Sequence, residues 1–278
     1  LESSFTGEIH VEGVRGTCGA DCFRATEGAA LVAGIVAGDI FFDAGYSGLI
    51  EVTARAGEEV LSASDKEYDI AGIDSKRDSG EIRVTASFPI FQPEPQAVSR
   101  GDATLKFGAR PDGSGAFTGS ILVAGEARRA FGIRAQNLIM DGSLSDGVIG
   151  NSYGGSVTVR LEGGEADSAY GLFAKSADLI GNFGGEVQVL AVEGNVRNSY
   201  AIRIPEFNLI GNMTGRYTAE ASQQAYGVHA EQMEIEGDIS AEIESTISGE
   251  YINQVASIAV NNLVAESFTG KLRASQVR

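Results

Sequence analysis

Asp65, Glu67, Asp69, Asp74 and Asp78 fall within 14 residues of one another, beside Lys66, Lys76 and Arg77. Paired carboxylates about 5 to 9 Å apart are what glycoside cleavage needs, and a cation beside acids suits lyase chemistry on an acidic polysaccharide. The same residues also describe a solvated rim in an acidic chain. Asp65, Asp69, Asp74 and Asp78 therefore form a candidate acidic cluster, with the solvated face as the plainer reading. Asp141 and Asp146, with Ser143 and Ser145, offer oxygens of the kind calcium takes. Their sequence, Asp-Gly-Ser-Leu-Ser-Asp-Gly, lacks the spacing of a calcium-hand loop, and Asp-Gly is ordinary turn composition. We read a turn there.

Cys18 and Cys22 are the only cysteines. A C-x3-C pair without further ligands is poor for zinc, which wants four. It suits a small disulfide-closed loop in an oxidising compartment, with two free thiols as the alternative. The two histidines, His10 and His229, are too far apart in a repetitive chain to share a site. Pro111-Asp112-Gly113-Ser114-Gly115 is no phosphate loop, because no Gly-Lys-Ser/Thr follows. No residue set implies a catalytic centre, a metal or a cofactor.

The formal net charge of −17, from 38 acidic and 21 basic residues, disfavours nucleic acid, whose phosphates call for Lys and Arg. It equally disfavours an anionic membrane surface. No run approaches the ~18 apolar residues of a membrane span: Ala29 to Phe42 is broken by Gly34, Gly38 and Asp39. With 43% hydrophobic residues, 37 glycines and only 5 prolines, the composition points to many short strands joined by tight turns. The chain begins at Leu1 and is read as a mature or trimmed product.

What must position any of these residues is a recurring stretch: an aromatic, a small residue, a glycine, then apolar residues at alternate positions. It reads Phe5-Thr6-Gly7-Glu8-Ile9-His10-Val11 at the start and Phe268-Thr269-Gly270-Lys271-Leu272-Arg273-Ala274 at the end. The key residues between fall at Gly48, Gly80, Gly119, Gly155, Gly185, Gly215 and Ala241, which makes nine copies. Eight of the nine carry a large apolar group two residues earlier, Asp78 being the exception. The intervals run from 41 down to 26 residues, a period that means a solenoid or array. Period-2 alternation makes each copy a strand, with Ile9/Val11 and their equivalents inward. Glu8, Leu49, Glu81, Ser120, Ser156, Glu186, Arg216, Glu242 and Lys271 point outward. The aromatics are in phase with the core and are read as a core ladder.

A second module follows in the C-terminal half, as in Ala130-Phe131-Gly132-Ile133, Ala169-Tyr170-Gly171-Leu172 and Ala225-Tyr226-Gly227-Val228. A third, apolar pair comes next, as in Leu179/Ile180. Three strands in a repeat of ~30 residues cannot bury their own apolar columns, whereas stacked repeats can. The expected fold is therefore all-β: one domain over 1–278, a right-handed parallel β-helix of about nine coils with three short strands per coil. A β-propeller needs blades of about 40 or more residues. Loop insertions are expected near 12–39, 88–116 and 141–152, and such loops are where function enters a rigid scaffold.

The Phe-Thr-Gly-x-Ile-x-Val and Ala-Tyr-Gly-Ile patterns resemble the passenger regions of bacterial autotransporters and related right-handed β-helix surface proteins. The resemblance is architectural and spans nearly the whole chain. It implies a secreted or surface-exposed rod, associated with the outer membrane and often an adhesin or self-associating module. The mixed outward column, with no uniform reactive row, favours a non-enzymatic role. Its partner would be a host or cell-surface ligand, or another copy, met through lateral faces or loops. The translocating barrel of such proteins has no counterpart in this sequence, so a longer precursor is expected. The alternative is a polysaccharide lyase or glycoside hydrolase of pectin-lyase-like fold.

Overall fold

The strand after each described motif glycine pairs in parallel, and in register, with its equivalent in the next repeat. The computed structural model describes residues 8–14, 30–37, 40–42, 46–55, 68–75, 104–108, 115–125, 127–143, 150–162, 165–192, 195–248 and 253–277. Within them the protein is all-β, with no helix. One sheet has the order β1 (Glu8–Val14), β4 (Leu49–Arg55), β7 (Ser120–Gly125), β11 (Ser156–Glu162), β15 (Glu186–Val192), β18 (Arg216–Ala221), β21 (Glu242–Ile247) and β24 (Lys271–Gln276). Its register aligns Ile9, Ile50, Ile121, Val157, Val187, Tyr217, Ile243 and Leu272 in one column. From Ile50 to Ile243 every member is at most 1% exposed. The next inward column, Val52 to Ser245, is fully buried, and the Ser245 hydroxyl in it donates to the Ala256 carbonyl at 2.9 Å.

The sheet holds eight strands where nine copies were expected. β4 pairs directly with β7, Ile50 opposite Ile121, so no strand from the Gly80 copy lies between them. Neighbouring strands sit about 4.8 Å apart, which leaves no room for one. The physical reason is in the motif: Asp78 would place a carboxylate in the aromatic column. Residues 76–103, which include this copy, lie outside the described residues.

The second sheet has twelve strands and curls back on itself. One arm contains β2 (Ala30–Ala37), β5 (Tyr68–Ser75), β8 (Arg129–Ala135), β12 (Glu165–Phe173) and β16 (Asn195–Arg203). The other contains β3 (Ile40–Phe42), β6 (Thr104–Phe107), β9 (Asn137–Asp141), β13 (Ser176–Ile180) and β17 (Glu206–Ile210). The arms meet in the long strand β19 (Gln224–Glu236), on which β22 (Gln254–Val264) pairs in parallel. Two short pairs, β10 (Asn151–Tyr153) with β14 (Asn182–Phe183) and β20 (Asp238–Ile239) with β23 (Ser267–Phe268), precede strands of the first sheet.

Between the sheets runs the aromatic column expected from the motif. Tyr46, Phe117, Tyr153 and Phe183 are fully buried and stacked, with centroids 4.8 to 5.2 Å apart. Met213 continues the column by a bridge, and the ring of Tyr217 leans over Phe183 at 5.7 Å. Burial raises the Tyr153 and Tyr217 phenols well above their usual pKa, so both stay protonated donors, Tyr153 to the Glu186 carbonyl at 2.9 Å and Tyr217 to that of Phe183 at 3.0 Å. The corner before this column is held by an amide ladder. The Asn182 side chain accepts from the Asn212 backbone at 3.1 Å, and the Asn212 side chain from the Asp238 backbone at 2.8 Å. Gly181, Gly211 and Gly237 take positive φ there, a conformation that suits glycine.

Candidate functional site

The residues with chemical potential are dispersed. Asp69 and Asp74 lie on β5, with Arg129 and Arg134 of β8 at the paired register positions. Asp65, Asp78, Cys18, Cys22 and Asp146 lie outside the described residues. The Asp141 carboxylate accepts from the Ser143 backbone at 2.9 Å, which is the expected turn. Among the described residues, no group of three or more His, Cys, Asp or Glu side chains could hold a metal.

The histidines occupy separate sheets and opposite environments. Exposed His10 on β1 lies 3.4 Å from Glu8 and 2.9 Å from Glu51, and its pKa is raised by the bonds to Glu8 and then Glu51. His229 on β19 lies edge-on to Tyr200 and Tyr226, with centroids 5.6 and 5.1 Å away. Its pKa is lowered, first by burial and then by the Arg203 charge.

His229 packs against a seam formed by the aromatics of the second module. Phe131, Tyr170, Tyr200 and Tyr226 stack at 5.0 to 5.2 Å with rings within 11° of parallel. Together with Ala71 they form a cluster distinct from the main core. The small inward residue after each aromatic, glycine in three cases and the buried Ala201 after Tyr200, explains this. A Cβ on Gly132 or Gly171 would strike Val157 or Val187, so glycine is the inward residue. The aromatic before it must face the other side. The register then skips the glycine, pairing Tyr170 with Phe131 and Leu172 with Ile133, and Leu172 and Ile133 lie in the main core.

Arginines close this outer strip. The Arg134 guanidinium lies 4.7 Å from the Phe131 centroid and that of Arg203 lies 4.9 Å from the Tyr200 centroid. Arg203 also donates to the Tyr170 hydroxyl at 3.2 Å, and the Tyr226 hydroxyl donates to the Gln254 side chain at 2.8 Å. A cation–aromatic contact is worth about 0.5 to 1 kcal/mol at exposed sites and about 2 kcal/mol when desolvated, and Arg134 is buried. With every ring at most 7% exposed, the strip is a second packed layer.

Among the described residues, a lateral groove of about 820 Å³ runs along the first sheet. It passes six successive repeats and is lined at one position by Thr118, Gly154, Gly184, Thr214, Ser240 and Thr269. Two residues further, Ser120, Ser156, Glu186, Arg216, Glu242 and Lys271 line it. The Ser156 and Ser120 hydroxyls bond at 2.9 Å. Arg216 lies between two acids, 3.0 Å from Glu242 and 3.9 Å from Glu186. This outward column was legible in the motif, apart from Glu81. The groove was not, because it arises only once small residues of neighbouring repeats are aligned. No protein-family model, curated protein or solved structure matches the chain.

Proposed function

We propose that the chain is a right-handed parallel β-helix with three short strands per coil, and that it works as a non-enzymatic binding or self-associating module. The strands of both sheets recur in a single spatial order, as a continuous winding requires, and parallel crossovers are overwhelmingly right-handed. Eight rather than nine coils fit the pairing of the first sheet. The setting is that of an autotransporter-like surface protein, secreted or held at the bacterial cell surface.

The observation that carries the binding reading is the groove. It presents one set of positions to the solvent six times in succession. Hydroxyls and charges of both signs line it, which suits an extended, hydroxyl-rich host or cell-surface ligand. The competing reading, a polysaccharide lyase or hydrolase, would rest on Asp69 and Asp74. Incubation with polygalacturonate, followed by the polymer's size distribution, separates the two. Unchanged chain length is expected. Depolymerisation that disappears in Asp69→Asn or Asp74→Asn would overturn the non-enzymatic reading.

A further inference from the structure

The column beside the outer aromatic strip is chemically uneven. Register aligns Asp74, Arg134, Phe173, Arg203, His229 and Ala259 in successive strands of the second sheet. Arg134 and Arg203 lie against the rings of the strip, and Phe173 packs edge-on to Phe131 and Tyr170 at 5.7 and 5.0 Å. His229 takes the equivalent place against Tyr200 and Tyr226. It is the member of the column whose ordinary pKa puts a change of charge between about pH 5 and 8.

The surroundings of His229 suit the neutral ring. Its Nδ1 is buried and has no hydrogen-bond partner among the described residues. From β16 it faces Tyr200 and Arg203, whose guanidinium is engaged with the Tyr200 ring and the Tyr170 hydroxyl. Its own strand supplies Tyr226 and Glu231. From β22, Ala256 and Ala259 stand at the paired positions, and Gln254 is held by the Tyr226 hydroxyl. Burial first and the Arg203 charge second oppose a proton on the ring, while its own backbone and Glu231 favour one less strongly. Burial also holds the Tyr200 and Tyr226 phenols above their usual range, so they supply no countercharge as the pH falls. The Tyr200 face already carries Arg203, and a second cation would compete for it. On the β22 side the two alanines place no ring against this layer. His229 is half-buried, so side-chain rotation can carry its imidazole from the seam to water.

We propose that His229 is an acid-sensitive latch on the outer aromatic seam. The neutral imidazole closes over Tyr200 and Tyr226, and the imidazolium turns out to water and uncovers them. The latch belongs to the second sheet and stands independently of the groove on the first. Because a proton is disfavoured in the closed seam, closure is complete above the ordinary imidazole pKa of about 6.5. It weakens as the pH falls from there through the lower value of the closed state.

NMR titration of the intact chain with a soluble neutral nitroxide tests this. The two histidines of the sequence report separately, and His10, raised by Glu8 and Glu51, is the internal reference. His229 should titrate below about 6.5 and His10 above it. As His229 titrates, nitroxide broadening of the Tyr200 and Tyr226 ring protons should rise several-fold. His229→Phe copies the residue that Phe173 already places in this column, and its rings should stay protected down to about pH 5. Arg203→Gln should move the His229 midpoint upward. A His229 midpoint at or above about 6.5, rings that stay protected while His229 titrates, or equal broadening in His229→Phe would overturn the latch. An unmoved midpoint in Arg203→Gln would overturn the part given to Arg203.

Discussion

Val187→Asp should collapse the stability of the stack, whereas Gln188→Asp, one residue along, should leave it nearly intact. Val187 is fully buried, with Val157 and Tyr217 at the paired positions on either side. A carboxylate there would have no partner, and an unpaired charge in a dry column is among the costliest changes a fold can meet. A loss of more than about 4 kcal/mol is expected, a large share of the roughly 5 to 15 kcal/mol that holds a typical domain folded. Because each repeat contacts only its neighbours, the damage should spread to the strands above and below. Gln188 faces outward, and its amide donates to Glu186 at 2.7 Å. Exchanging it for Asp adds one half-buried acid beside another at the sheet surface, at a cost of about 0.5 to 1 kcal/mol. Urea unfolding of both variants reads the difference, and equal losses would show the assigned phase to be wrong.

Two adjacent glycines should differ almost as sharply. A Cβ on Gly155 would run into the Gly119 carbonyl oxygen and come within 2.6 to 2.7 Å of the Phe117 ring. The ring cannot swing away, because Tyr46 and Tyr153 are stacked on its two faces at 5.0 and 5.2 Å. The carbonyl cannot move either, since it accepts from the Ser156 amide at 3.0 Å. Gly155→Ala is therefore an overpacking change, expected to cost about 1 to 3 kcal/mol or more. On Gly154 the added methyl would meet only Thr118 Cγ2, at 4.0 Å. Gly154→Ala should be neutral or stabilising by up to about 1 kcal/mol, through the lower entropy of the unfolded chain. Thermal melts of the two variants should fall on opposite sides of the parent or nearly so.

The strands of the first sheet were legible because period-2 alternation and the aromatic two residues before the glycine report on one inward face. Ser245 could be placed inward from its column alone. The string Ser79-Gly80-Glu81-Ile82-Arg83-Val84 carries the same alternation, yet β4 pairs with β7 past it. Alternation marks a strand and says nothing of its partner. Asp78 in the aromatic slot was the warning. The second module also begins earlier than its aromatics suggest. Val32-Ala33-Gly34-Ile35 and Ile70-Ala71-Gly72-Ile73 pair in register with Phe131-Gly132-Ile133 and its relatives. Alanine in place of the ring concealed them, although the repeated Ala-Gly-Ile was readable. The outer position of Tyr170 and Tyr200 was hidden for another reason, since strict alternation fails at the small residue after each ring, Gly171 and Ala201, which the register skips. The groove depends on alignment across repeats, which no single repeat encodes.

Distances between spin labels on one outward column test the continuous stack most directly. Register places Glu51, Leu122, Thr158, Gln188, Thr218, Glu244 and Arg273 in line. With a label at Arg273 and a second at Thr158 or Glu51, four and six strand spacings predict backbone separations of about 19 and 29 Å. Values that rise in this proportion are expected. A Glu51–Arg273 separation near 34 Å, one strand spacing more, would restore a ninth strand between β4 and β7. A separation no greater than that from Thr158 would contradict the stack itself.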